Sequence, residues 1–365
     1  FPSLWINKNA FRLALSPLSR NASEKLVRVA MPEADPRLRA SIVDRAGGNA
    51  LFLEELVRAT SAGQDELPLT VQATLQMRLD RMPKTTREVV RAASVLGPVF
   101  WTGAVATLAS REVDADLEEL EQAEVISRQP RSRIAGEVEW TFRQALLRDA
   151  AYASILEEDR TEMHREAATW LEKIGGTDIG LIAQHADAGE DFERAAQLYA
   201  RATRQAYANG AHLEIALELA ERGLDCGPPD ELRAELLIAA AQARIPLGRL
   251  EDGIRAAEEA TQLATPGQDM WAEAQYLAST ALIQSGRAAE GDARALAALA
   301  PENADHVSKP TWIGLMAARV RGLVDLERTR EALTLADEAL GMARESASSE
   351  ALLRVLDARL FALMQ

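Results

Sequence analysis

Four aligned columns in the second half of the chain restrict its fold more than any other feature. They are anchored at Leu213, Leu250, Ala288 and Thr329, which stand 37, 38 and 41 residues apart. Three residues past the anchors come Ala216, Gly253, Gly291 and Ala332. Four further on stand Ala220, Ala257, Ala295 and Ala336, and three beyond those Gly223, Ala260, Ala298 and Ala339. Every member of these three columns is glycine or alanine. Residues at i, i+4 and i+7 share one face of an α-helix, so each set predicts a helix with a flat face that a neighbour can approach closely. Gly210, Gly248 and Gly286 fall just before three of the anchors, where a helix must end and the chain reverse. A period of this length and character implies stacked helical hairpins, each of which buries its apolar face only against the next.

The composition fits a helical chain. Hydrophobic residues make up 47% and aromatic residues only 5%, a balance that favours alanine- and leucine-rich helices over sheets. At 365 residues the chain is too long for one ordinary core. A net charge of -15 repels phosphate backbones and anionic membrane surfaces, so neither nucleic acid nor membrane is an expected partner. No run of about 18 apolar residues is present for a membrane span. A single cysteine, Cys226, cannot form an internal disulfide and fits a reducing, cytoplasmic setting. The chain opens at Phe1 with no charged-then-apolar leader, and it reads as a piece of a longer protein with its chemistry upstream.

Ahead of the repeats, Phe11, Leu13 and Leu15 alternate as in a short strand. Ser19 opens a helix through Ala30, Asp35-Pro36 opens another through Arg45, and a third spans Ala50 to Thr60. Ser61 to Asp65 read as a linker. Helical periods follow from Leu67, and then Val125 to Gln129 and Val138 to Phe142 flank a polar segment as a β-hairpin does. Helices that end in a small hairpin suggest a winged helix. Ile179, Ile182, Ala183 and Ala186 predict a helix over Asp178 to Ala188 that couples this block rigidly to the repeats.

Candidate chemistry is sparse. His164, His185, His212 and His306 are far apart in sequence and show no metal-ligand spacing with Cys226, so no metal site is expected and His164 reads as a packed or solvated side chain. No nucleophile motif is visible, and no catalytic residue is assigned. Glu54-Glu55 and Glu119, Glu121 and Glu124 read as solvated helix faces. Arg128, Arg131 and Arg133 on the hairpin give DNA contact its only local support, against a strongly acidic stretch from Glu112 to Glu124.

Two strings carry a resemblance. Gly48-Asn49-Ala50-Leu51-Phe52-Leu53-Glu54-Glu55-Leu56-Val57 resembles the segment that closes the helical lid in signal-transduction ATPases with numerous domains, the STAND branch of the AAA+ class. Trp140 to Tyr152, continued by Arg160, His164 and Ala168, looks like the end of that family's winged helix. The small-residue columns resemble tetratricopeptide repeats, with four units and the start of a fifth. The resemblance implies a mainly α chain, with a lid-like helical segment over 1–66, a winged-helix-like domain with coupling helices over 67–190, and a tetratricopeptide-like solenoid over 191–365. It also implies a bacterial regulatory protein attached to a nucleotide cyclase, kinase or transcription regulator.

In that family the lid and winged helix close over ATP or ADP held by an upstream phosphate loop. No Gly-x-x-x-x-Gly-Lys-Ser/Thr string occurs here, so no cofactor and no enzyme activity is expected of this chain itself. The positions matching the family's nucleotide contacts are Gly48, Asn49 and Gln144, with Ala50 where the family has proline and Gln144 where it has histidine. Two functions are thereby implied: a repeat groove that binds a protein, a peptide or a small effector, and a nucleotide switch completed by an upstream ATPase core. DNA-binding regulation is a third. Arg201, Arg204, Arg244 and Arg319 are the expected polar contacts of the groove.

Overall fold

A computed structural model describes residues 17–61, 71–175, 178–210, 212–346 and 348–364. The strand expected around Phe11 to Leu15 lies outside them, as does all of the expected linker beyond Ser61. The chain divides into two compact units, Phe1–Arg160 and Thr161–Gln365.

The first unit begins with α1 (Arg20–Ala30), α2 (Pro36–Ala46) and α3 (Ala50–Ser61). The Ser19 and Asp35 side chains accept backbone N–H groups and start α1 and α2. Val27, Ile42, Phe52, Leu53 and Leu56 form the buried centre of this trio. Next come α4 (Val71–Arg81), α5 (Lys84–Leu96), β1 (Val99–Trp101), α6 (Thr102–Ala109), α7 (Asp114–Gln122), β2 (Ile126–Arg128), β3 (Glu139–Phe142) and α8 (Ala145–Ala153). The expected hairpin is present, with Ile126 opposite Phe142 and Arg128 opposite Trp140. β3 is the middle strand, because β1 pairs antiparallel with its other edge, Phe100 opposite Trp140. Three residues are too few to show a period of two, so β1 left no signal in the sequence. Its value is in the packing: the Phe100 and Phe142 rings lie 5.2 Å apart between centroids, and Trp140 Nε1 donates to Thr102 Oγ1 at 2.9 Å.

The second unit contains α9 (Glu157–Ile174), whose first residues precede the unit boundary, and α10 (Ile179–Ala188). The solenoid continues through α11 (Phe192–Ala208), α12 (Leu213–Asp225), α13 (Asp230–Arg244), α14 (Leu250–Leu263), α15 (Asp269–Gln284), α16 (Ala288–Ala298), α17 (Lys309–Asp325), α18 (Thr329–Glu345) and α19 (Ser349–Leu363). The four anchors are the first residues of α12, α14, α16 and α18. All twelve small column residues are buried. The interval between anchors is therefore one hairpin, and the columns are the faces on which successive hairpins stack.

The turns repeat as closely as the helices. Gly248, Gly286 and Glu327 adopt φ of 76°, 84° and 61°. The next amide in each case reaches back five residues: Arg249 to Arg244, Arg287 to Leu282 and Arg328 to Leu323, at 2.8–2.9 Å. The same turn joins α10 to α11, with Glu190 at φ 57° and Asp191 N donating to Ala186 O at 2.9 Å. The regular geometry thus begins ahead of Asp191, and the buried Ile182, Ala183 and Ala186 belong to a helix packed on α11.

Candidate functional site

Two places concentrate polar side chains in a manner that bears on function. The first is a groove of about 900 Å³ in the second unit. It is lined by one helix of each hairpin in turn: α11 through Tyr207, α13 through Gln242, α15 through Glu273, Tyr276 and Thr280, α17 through Arg321, and α19 through Glu350, Arg354 and Asp357. These helices line it because their partners α12, α14, α16 and α18 carry the small faces and pack behind them. The Arg354 guanidinium lies over the Tyr276 ring at 4.7 Å and pairs with Glu350 at 2.5 Å. Arg321 pairs with Asp357. Gln242 Nε2 donates to Glu273 Oε1 at 2.6 Å. Burial pushes the Glu273 carboxyl above the usual carboxylate range, with Arg354 opposing and Asp269 reinforcing the shift. Thr280 Oγ1 is buried without a hydrogen-bond partner beside these groups.

The arginines singled out from the sequence stand elsewhere. Arg204 on α11 pairs with Glu235 on α13, Arg244 on α13 with Glu221 on α12 at 3.0 Å, and Arg319 on α17 with Asp292 on α16 at 3.0 Å. Each bridges two helices of the stack. Arg201 is exposed on α11. None of the four lines the groove, and Arg321 and Arg354, which do, carry no local sequence mark that separates them from their neighbours.

The second place is a polar triad in the first unit, built on the buried Glu55 with Arg78 and Gln144 half-buried around it. Glu55 on α3 is 2% exposed, where the sequence suggested a solvated face. Only Glu54 of that pair is exposed, because Glu55 turns toward α4 and the start of α8. Arg78 Nη1 donates to Glu55 Oε1 at 3.0 Å, and its Nη2 donates to the Ala123 carbonyl at 3.1 Å. Gln144 Nε2 donates to the same Glu55 oxygen at 3.2 Å. Burial lowers the Arg78 pKa from its ordinary value while Glu55 opposes that shift. Gly48 and Asn49 are engaged nearby in the chain: the Gly48 carbonyl accepts from Leu18 N at 2.8 Å, and Asn49 Oδ1 accepts from Phe52 N at 3.1 Å as the cap of α3. Gly48 has φ 84°, and a Cβ there would meet the Leu18 carbonyl oxygen at 2.8 Å, so the position requires glycine.

Other titratable groups are placed as follows. His164 on α9 and His185 on α10, 21 residues apart, meet through their Nδ1 atoms at 2.9 Å, and both are buried. Burial, and then His164, push His185 down to about 3. Burial first and Asp187 second push the Cys226 thiol up to about 12, so it is protonated at neutral pH and unsuited to nucleophilic work. Among the described residues no group of three or more His, Cys, Asp or Glu is placed to hold a metal ion. None of the described helices is long and apolar enough to cross a membrane. On the hairpin, Arg133 is committed to Glu139 at 3.2 Å and lies over the Trp101 ring at 5.5 Å.

No family model matches the chain. It is similar to an uncharacterized protein of Rhizobium meliloti (strain 1021), 27% identical in an alignment 265 positions long that covers 63% of this chain and 24% of the relative. The chain therefore aligns with about a quarter of that relative's length. Among solved structures it is similar to the Signal Transduction ATPase with Numerous Domains (STAND) protein with a tetratricopeptide repeat sensor from Pyrococcus horikoshii. There the identity is 14% and the TM-score 0.37, over 98% of this chain and 59% of that one.

Proposed function

We propose that the second unit is a binding module that takes a protein segment or peptide along its groove, and that the first unit is a winged-helix-type relay of a larger regulatory ATPase. The carrying observation is the groove itself. Its roughly 900 Å³ run past five helices of the stack, and its walls present aromatic and charged side chains of both signs. Such a surface suits an extended ligand read at several points. Peptides selected from a random displayed library on the whole chain supply the probe. Their affinity, read by fluorescence anisotropy, should fall at least about tenfold in Tyr276→Ala and in Arg354→Ala, as truncated anchor residues do. Selected peptides that bind both variants like the parent would remove the groove from consideration.

The reading of this chain as a lid and relay without its own nucleotide site is supported by the commitment of its three matching positions. The Gln144 amide is spent on Glu55, Asn49 caps α3, and the Gly48 carbonyl accepts from Leu18. Titration calorimetry with ADP should give no binding heat. Micromolar binding would show instead that the chain holds a nucleotide without the phosphate loop.

A further inference from the structure

α15 is the middle one of the five helices that line the groove. Asp269, Glu273, Tyr276 and Thr280 stand on it four, three and four residues apart, so a single stripe of the helix faces the open side. The charged residues of the lining are four carboxylates and two guanidiniums, and both guanidiniums are taken: Arg354 pairs with Glu350 and Arg321 with Asp357. The carboxylates left without an ion pair are Asp269 and Glu273, one turn apart. Asp269 is the first residue of α15, where the helix dipole favours a negative charge, and its Oδ1 accepts from Ser308 N at 2.9 Å. Glu273 lies beyond the first turn, and its hydrogen-bond partner is a neutral one, the Gln242 amide.

A half-buried carboxylate matched only by an amide costs the folded chain stability that a cation would restore. Two turns along the same stripe, Thr280 Oγ1 is buried in the groove wall with no hydrogen-bond partner, and the Tyr276 ring stands between the two. From Asp269 to Thr280 the stripe runs about 16 Å at the rise of an α-helix, more than one small cation can cover and within reach of an extended peptide. Resting on the reading of the second unit as a peptide-binding module, we propose that its groove selects basic segments and seats a lysine or arginine side chain of the ligand against Glu273. The net charge of -15 draws any basic peptide toward the chain, but that field is screened beyond about 8 Å at physiological salt. Contact at a half-buried carboxylate is screened far less, and this separates the two effects.

Peptides selected from the random displayed library on the whole chain, in about 0.15 M salt, should carry lysine or arginine well above its frequency in the library. Replacing that basic residue by methionine in a selected peptide should weaken binding to the parent at least about tenfold by fluorescence anisotropy, and to Glu273→Gln less than about threefold. Glu273→Gln keeps the side-chain shape and removes a poorly matched charge, so its unfolding midpoint should equal or exceed the parent's. If the glutamine disturbs folding, Asp269→Asn, whose amide oxygen can still accept from Ser308, should weaken the same peptides at least about threefold. Peptides that depend on Tyr276 but carry no basic residue overturn the proposal and leave the groove as a binding surface. Basic peptides that bind Glu273→Gln like the parent overturn it too, since the general field of the chain then draws them. If no selected peptide depends on Tyr276, the groove itself falls, and the proposal with it.

Discussion

The two units are held together in opposite ways. The first depends on side chains used once and joined over long stretches of sequence: Gln144 to Glu55, Arg78 to Glu55, and Trp140 to Thr102. The second uses a single device several times, a small-residue helix face closed by a left-handed turn, between hairpins that are neighbours in sequence. A repeated interface spreads its stability over equivalent contacts, each replaceable by its neighbours. One built from single buried polar groups concentrates it, because each group left without its partner retains its full desolvation cost.

The contrast predicts the largest effect in the first unit. Arg78→Ala leaves the Glu55 carboxylate buried without its counter-ion, and should destabilise that unit by about 3–5 kcal/mol. Hydrogen exchange resolved by peptide should locate the loss in α3, α4 and α8 and leave α11 to α19 protected. Loss spread evenly over both units would break the distinction.

Next comes a break in one column of the stack. Gly291→Leu forces a side chain where even a Cβ would lie 2.6 Å from Ile283 Cγ1 and 2.8 Å from the Ser279 carbonyl oxygen. It should cost about 1–3 kcal/mol. Exchange should rise in α15 and α16 first, with α11 and α12 close to the parent, since each hairpin touches only its neighbours.

Acid should loosen the second unit by a route absent from the triad. His185 is held at about 3 by burial, and it returns to about 6.5 when the chain unfolds. Between those values the unfolded chain binds more protons. The stability present above about pH 6.5 is therefore lost as pH falls toward 3, by up to about 1.4 kcal/mol per pH unit. Arg165, beside His164, donates to the Gly189 carbonyl and to Glu162, and Asp187, two residues after His185, accepts from Cys226 and Tyr199. His185→Leu should flatten the slope measured by urea unfolding across pH 4–6.5. An unchanged slope would place the acid sensitivity elsewhere.

Two smaller changes sharpen the picture of the repeats. Glu327 holds a left-handed turn that glycine holds in two other hairpins, so Glu327→Gly should add about 0.5–1 kcal/mol, read as a raised unfolding midpoint. Arg204→Ala removes an exposed bridge between two hairpins and should change stability by less than about 0.5 kcal/mol. A larger loss would mean that ion pairs, and not the small faces, carry the stack.

The amino-acid sequence by itself determined the repeats. Their columns keep the same internal spacing in every unit, and the packing of neighbouring hairpins is local enough to leave its period in the chain. It determined the starts of α1 and α2 as well, since Ser19, Asp35 and Pro36 act within one helical turn. Tertiary structure alone decided the rest. Glu55 and Glu54 are alike in sequence, and only the arrival of Arg78 and Gln144, 23 and 89 residues away, makes one buried and leaves the other in water. β1 is too short to carry a period and is a strand because β3 offers it an edge. His164 and His185 show no spacing that predicts a meeting, and they meet because α9 and α10 fold against each other. The groove falls to Arg321 and Arg354 instead of Arg204, Arg244 and Arg319 for the same reason: arginines are spread over most helices of the stack, and the stacking direction selects which of them face the open side.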